Sequence, residues 1–302
     1  MVSSKITLWS LIACVVSHEI QGAQGPSNFR RRSRRSVGGS NASQISDYPY
    51  MASIRYAGHH ICGGSIISSD IILTAAHCVT ENLFLDLLYV KVGHTDINYR
   101  GSWYPVFLVV QHEGYKKYDL LGENEPQLLN DIALVKLANH IQFDNITTRP
   151  IQLFKKYDEI HNFNYGIMIG WGQIPTVKSR LILDPENIGY FVFKQMVLRS
   201  PLELQFVKLN IGSEDMCSKL YPSAILEDQF CTNTFGKKPC AGDSGSPFVV
   251  NGRLAGLVSS GSHACSGDEN SALFINIAKF DKWIKRTMKI LRDIDVTCGE
   301  DC

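Results

Sequence analysis

The chain has 302 residues, enough to bury one large hydrophobic core or two modest ones. Lysine and arginine nearly balance aspartate and glutamate, leaving a formal net charge of +1, so the basic footprint of a nucleic-acid-binding protein is missing. The sequence carries no internal repeat and no low-complexity domain.

In chain order, the first feature is a targeting pattern. Lys5 precedes an apolar stretch, 6–16, that is too short to span a bilayer and gives way to small residues at Gly22 and Ala23. Set against a buried strand or a membrane anchor, a signal peptide over 1–23 is the expected reading, and it makes the protein secreted and extracellular. A basic run follows, Arg30-Arg31-Arg32-Ser33-Arg34-Arg35, and leads into Ser36-Val37-Gly38-Gly39. A charge run is either a solvated linker or a processing site. Here Arg32-Ser33-Arg34-Arg35 suits a furin-type convertase, which makes 24–35 a propeptide cleaved after Arg35. The remaining chain alternates short apolar runs with Gly, Asn, Pro and Asp. This pattern predicts strands over 64–73, 87–92, 106–110, 132–137, 167–169, 248–250, 254–258 and 273–277. Helical spacing is convincing only over 279–291, where Phe280, Trp283, Ile284, Met288 and Leu291 fall near one face.

Three segments carry chemistry. They are Thr74-Ala75-Ala76-His77-Cys78, Asn130-Asp131-Ile132-Ala133-Leu134-Val135 and Cys240-Ala241-Gly242-Asp243-Ser244-Gly245-Ser246-Pro247. A serine hydroxyl is a poor nucleophile at neutral pH. It needs an imidazole to take its proton and a buried carboxylate to orient and stabilise that imidazole. Taken singly, His77 reads as a core histidine, Asp131 as a strand-start cap and Ser244 as a turn residue. Together, and in the order His, Asp, Ser, they read as a catalytic triad. The other histidines, His59, His60, His94, His112, His140, His161 and His263, show no metal spacing and read as structural or solvated. No paired Cys/His spacing of the zinc type occurs either, so no metal and no cofactor are expected.

On these motifs the chain resembles the trypsin/chymotrypsin-type secreted serine proteases, and looks nearest to the insect chymotrypsin-like members. Asp47-Tyr48-Pro49-Tyr50, Cys62-Gly63-Gly64-Ser65 and Gly170-Trp171-Gly172 extend the resemblance, which runs from about Val37 to Met288. It implies an all-β fold of two packed six-stranded antiparallel β-barrels with a C-terminal α-helix. The protease domain would be 36–288, split near 150, and 289–302 a tail. It implies a serine endopeptidase in which Ser244 attacks, His77 moves the proton, Asp131 orients His77, and the N–H groups of Gly242 and Ser244 form the oxyanion hole. Gly242 is expected because a side chain would crowd that turn. Ser246 stands where the family usually has glycine.

The resemblance also assigns the cysteines. Of nine, Cys14 leaves with the signal. The implied bridges are Cys62–Cys78, Cys217–Cys231 and Cys240–Cys265. Cys298 and Cys302 remain, for a local bridge or a covalent link to another chain. Activation is implied to place the new α-ammonium of Ser36 on Asp243. The family normally supplies Ile or Val at that terminus, and serine forgoes apolar burial of about 1.5–3 kcal/mol. The implied substrate pocket is formed by Lys238, Pro239, Ser260, Gly261 and Ala272. Lys238 takes the place of the aspartate of trypsin-like members and argues against substrates with Lys or Arg. It favours acidic side chains, or pairs with Asp268 or Glu269 to leave an apolar slot, or snorkels to water. His94 begins what would be the family's calcium loop, where a carboxylate is expected.

The stretch between Gly172 and Cys217 is longer than in the family, with the excess around 177–197 and an apolar run at 188–193. It reads as an exosite, a flexible insertion or retained non-coding sequence. Asn41 and Asn145 head glycosylation sequons. The protein is expected to be a monomer, and its expected partners are protein or peptide substrates, an activating protease of furin or trypsin type, and protease inhibitors, with no nucleic acid and no membrane. The competing reading is a catalytically silent homologue that binds partners.

Overall fold

Apolar residues in the first half of the chain divide between two cores with the period of two expected for strands. In the strand Ile71–Thr74, Ile72 faces one core while Ile71 and Leu73 face the other. Ala133 and Val135 likewise turn away from Ile132 and Leu134. Both faces are buried, which is why these segments are apolar without interruption. The structure is a computed structural model that describes residues 39–98, 100–118, 127–184, 189–222, 226–261, 265 and 271–294. The expected signal peptide and propeptide, with Arg35 and Ser36, lie outside the described residues, as do His263, Asp268, Glu269, Cys298 and Cys302.

Six antiparallel strands close into a barrel in the order Met51–Tyr56, His59–Ile66, Ile71–Thr74, Ala133–Leu137, Ser102–Gln111 and Leu88–Val92. The strand predicted over 64–73 is therefore two strands. Ser68-Ser69-Asp70 makes the turn between them, with the Ser68 hydroxyl donating to Asp70 Oδ1 at 2.9 Å and Lys136 Nζ donating to Asp70 Oδ2 at 2.8 Å.

The second half is an eight-stranded sheet. From one edge it runs Ser40–Asn41, Gln205–Asn210, Tyr165–Gly170, Pro247–Val250, Arg253–Gly261, Ser271–Asn276 and Gln229–Asn233. Gln152–Leu153 pairs in parallel with Arg253–Gly261, and the other pairings are antiparallel. The all-β architecture of two rolled units is thus present, as one closed barrel and one half-barrel sheet. Phe230, Phe248 and Phe274, all nearly fully buried with ring centroids 5.0–5.4 Å apart, form the centre of the second unit.

Helix α1, Glu214–Leu220, was not legible in the hydrophobic pattern. Its seven residues are set by local chemistry: Ser213 Oγ accepts from Met216 N, and Cys217 is bridged to Cys231. Helix α2, Asp281–Asp293, follows a 3₁₀ turn at Ile277–Phe280 and buries Trp283, Ile284 and Leu291, the face predicted from spacing. Among the described residues no helix is long and apolar enough to cross a membrane.

The long stretch after Gly172 folds as a two-stranded antiparallel ribbon, Ile174–Asp184 with Gly189–Arg199, paired from Ile174↔Arg199 to Asp184↔Gly189 and forming a sheet of its own. Its base is tied to the segment before Ser244, because Gln173 N donates to Ala241 O at 2.8 Å.

Candidate active site

His77 lies in a 3₁₀ turn, Ala76–Cys78, directly after the strand Ile71–Thr74. The bridge from Cys78 to Cys62 (Cα–Cα 6.1 Å) fastens that turn to the neighbouring strand. Asp131 opens the next barrel strand and is fully buried. Its carboxylate accepts three hydrogen bonds: His77 N to Oδ1 at 2.8 Å, His77 Nδ1 to Oδ2 at 2.7 Å and the Ser259 hydroxyl to Oδ2 at 2.6 Å. A carboxylate only accepts, so Nδ1 carries the proton and Nε2 is left with a lone pair in the neutral imidazole. Burial opposes the charged imidazole, yet the Asp131 charge and hydrogen bond outweigh it and raise the His77 pKa. An imidazole so backed is ready to take a proton and to be stabilised once it has done so.

Ser244 is half-buried in the tight turn that leads into the strand Pro247–Val250. Ser244 O accepts from Gly63 N at 2.8 Å and Gly245 N donates to Val258 O at 2.7 Å, so the turn is pinned to both units. Gly242 has φ +93°, a backbone region that favours glycine. Crowding is not the reason for that glycine, contrary to the sequence expectation: a Cβ there would come no closer than 3.5 Å to another atom. Crowding does explain Gly172, where a Cβ would stand 2.0 Å from Asp243 Oδ2. Among the described residues no hydrogen bond joins Ser244 Oγ to His77 Nε2, and that nitrogen lies 3.8 Å from Cys78 Sγ.

The Asp243 side chain points away from solvent. Oδ1 accepts from Gly172 N at 2.8 Å and Oδ2 from Cys240 N at 2.9 Å, and burial pushes its carboxyl up to about 6. Beside it, His60 Nε2 meets Gly242 O at 2.9 Å and Nδ1 meets the Ser53 hydroxyl at 2.9 Å. Burial lowers the His60 pKa to about 4, so the ring is neutral, with Nε2–H donating to the carbonyl and Nδ1 accepting from the hydroxyl.

A family model described as Trypsin matches residues 36–284. The chain belongs to the trypsin family. Trypsin alpha of Drosophila melanogaster is 31% identical over 256 residues, spanning 84% of this chain and 87% of that protein. Trypsin delta of the same fly is 29% identical over 282 residues, spanning 92% and 97%. Among solved structures, neuropsin, a serine protease expressed in the limbic system of mouse brain, superposes with a TM-score of 0.64 at 26% identity, covering 83% of this chain and 98% of that one. The fold is therefore the chymotrypsin fold, and the protein is a serine endopeptidase acting on protein substrates.

This trypsin-family chain departs from expectation at its third bridge. Cys62–Cys78 and Cys217–Cys231 are joined, whereas Cys240 and Cys265 are buried free thiols. The neighbouring Cys265 raises the Cys240 thiol, with burial adding to the rise, while Cys240 holds the Cys265 thiol lower. Cys62, His77 and Cys78 form the only cluster of metal-type ligands among the described residues, but both sulfurs are spent in the bridge.

The expected pocket residues come from two directions. Ser260 and Gly261, at the end of the strand Arg253–Gly261, pair with Leu273 and Ala272. Lys238 and Pro239 leave the turn after Gln229–Asn233 and are both buried. Lys238 is only 2% exposed, and its Nζ has no hydrogen-bond partner among the described residues. Over the loop that begins at His94, Lys91 Nζ donates to Asp96 O (3.0 Å) and Ile97 O (2.8 Å), and Arg55 also donates to Ile97 O. Two side-chain cations thus meet carbonyls of that loop.

Four partners of the site were not legible in the motifs. Ser259 emerges only when its strand passes Asp131. His60 had been read as structural or solvated, and it is the side chain that meets the Gly242 carbonyl. Asp228 and Gln229, remote from every motif, reach Asn130 N and Leu128 O, just before Asp131.

Proposed function

We propose that this serine endopeptidase works through His77, Asp131 and Ser244 and is made as a secreted zymogen activated by cleavage after Arg35. The observation that carries the reading is the buried Asp131 carboxylate, which holds His77 through both its backbone N–H and its Nδ1–H. Ser244 attacks the peptide carbonyl as His77 Nε2 takes its proton and then returns it to the leaving amine. The N–H groups of Gly242 and Ser244 stabilise the oxyanion, a donor being worth roughly 2.7–4 kcal/mol.

Activation rests on Asp243. Its buried carboxylate is held by two backbone N–H groups and is costly to keep charged without a cation. A new ammonium at Ser36 supplies that cation, and drawing Asp243 toward it reorganises the turn carrying Gly242 and Ser244. The basic run ending at Arg35 supports an activating protease of furin or trypsin type. The N-terminal apolar pattern and the two disulfides support secretion, and Asn41 and Asn145, both exposed, are the proposed glycan acceptors. Specificity is proposed to be non-tryptic: the buried Lys238 ammonium opposes Lys and Arg side chains and favours neutral or acidic ones. The relatives favour a working peptidase over a silent homologue.

Fluorophosphonate labelling of the secreted protein, before and after cleavage and alongside N-terminal sequencing, tests this. Labelling of Ser244 only in chains beginning at Ser36 is the expected result. Folded, correctly cleaved protein that does not label would overturn the mechanism. A peptide panel then reads the specificity, and preference for Arg or Lys would reject the role given to Lys238.

A further inference from the structure

Asp131 sits in an unusually constrained piece of backbone. Ile132 N donates to Asn130 O at 2.8 Å, closing a three-residue turn whose centre is Asp131 itself. Asn130 takes φ +48°, the left-handed region, and its Nδ2 donates to Gly114 O at 2.9 Å. A non-glycine residue stays in that region only when its surroundings fix it there. The fixing groups arrive from the other half of the molecule. Asp228 Oδ2 accepts from Asn130 N at 2.9 Å across 98 positions of sequence. The next residue, Gln229, is buried and donates from Nε2 to Leu128 O at 2.6 Å. Consecutive side chains at the start of the strand Gln229–Asn233 therefore hold the backbone on both sides of Leu129, one as acceptor and one as donor.

The carboxylate of Asp228 is placed at a cost. Its Oδ1 is buried with no hydrogen-bond partner among the described residues. Burial raises its pKa, and the nearby charges of Asp131 and Glu227 add to the rise. A buried half-satisfied carboxylate close to a second carboxylate is unfavourable for stability alone. Beyond its own backbone N–H, its polar contact among the described residues is the N–H that begins the Asp131 turn.

We propose that Asp228 and Gln229 are positioning residues that clamp the Leu128–Asn130 backbone and so aim the Asp131 carboxylate at His77. The inference rests on the triad reading given above. It assigns the second sheet a part in aligning the His77–Asp131 pair of the barrel. Neither residue touches substrate or the reacting atoms; both act through Asp131.

The test uses the full chain cleaved after Arg35, with Asp228→Ala, Asp228→Asn and Gln229→Met, each checked for folding by thermal melting. Peptide hydrolysis gives kcat and KM separately. Proton NMR follows the low-field His77 Nδ1–H signal, which reports its hydrogen bond to Asp131 without any need for turnover. Asp228→Ala is expected to lower kcat by up to roughly 10²-fold at nearly constant KM, the scale on which a small displacement acts. The low-field signal should shift or broaden with it. Asp228→Asn retains an acceptor oxygen and is expected to restore most of both. Should Asp228→Ala fail to fold, Gln229→Met, which removes only the donor to Leu128 O, carries the test with a smaller loss of the same kind. Folded variants with the wild-type kcat and His77 signal would overturn the clamp. So would equal losses in Asp228→Asn and Asp228→Ala, which would place the effect in charge and not in the accepted hydrogen bond. If the wild-type protein fails to label at Ser244 while the His77 signal responds to the variants, the nucleophile reading falls and the clamp stands.

Discussion

Between His77 and Asp131 the polar contacts are closed: the carboxylate accepts three hydrogen bonds, and the bridge from Cys78 anchors the turn. Around Ser244 the same standard is not met. Among the described residues, Lys238 Nζ and Ser246 Oγ are buried without a partner, Cys240 and Cys265 stand as free thiols, and Asp243 is held by backbone N–H groups alone. Both regions are densely packed, so the contrast is one of polar satisfaction. The His77–Asp131 pair sits on the barrel and is completed by Ser259 from the second sheet. Among the described residues, the turn holding Ser244 carries buried polar groups without a compensating partner, a property expected of a segment that rearranges when a cation arrives.

The largest effects fall on one proposed reacting group from each region. Ser244→Ala or His77→Ala is expected to lower kcat/KM by roughly 10⁴-fold or more, measured with a peptide substrate. Retention of activity in either would place the chemistry elsewhere. Next comes the terminus: Arg35→Gln should leave the chain uncleaved and label some 10²–10³-fold more slowly, the cost of an ill-formed oxyanion hole. Equal labelling rates with and without cleavage would remove the contrast drawn between the two regions.

The pH dependence of stability sharpens it further. In the uncleaved chain, burial raises the Asp243 carboxyl from 3.8 to about 6. The folded state then holds its proton more tightly than the unfolded one. That contribution is full below about 3.8 and is lost as pH rises through about 6, amounting to about 3 kcal/mol. Urea titrations of the uncleaved protein at pH 4.5 and 7 should show the loss, and Asp243→Asn should abolish it. Cleavage should reverse its sign, because an ammonium partner lowers a carboxyl pKa. The smallest expected effect is Ser246→Ala, which removes a buried hydroxyl without a partner among the described residues and should stabilise the fold by about 1 kcal/mol in the same assay.

The site was legible wherever chemistry depends on residues close in sequence. Thr74-Ala75-Ala76-His77-Cys78 and the turn holding Ser244 are each set by local backbone requirements, and the apolar runs marked most of the barrel strands. The 64–73 strand was read as one because both halves are buried and only Ser68-Ser69-Asp70 separates them. Helix α1 escaped because its seven residues depend on a cap and a disulfide more than on periodicity. The ribbon from Ile174 to Arg199 was recognised as an insertion, but not as a hairpin.

By itself, the amino-acid sequence determined the family and the all-β class and named the proposed reacting side chains, since these depend on residue type and local order. Tertiary structure alone decided which groups meet across long separations. It brought Ser259 to Asp131 across 128 positions, and Asp228 to Asn130 across 98. It also left Cys240 and Cys265 unjoined and buried the Lys238 ammonium without a partner among the described residues. Hydrogen bonding and desolvation act over a few ångströms of space, so their outcome depends on how the barrel and the sheet place these atoms, which no local pattern encodes.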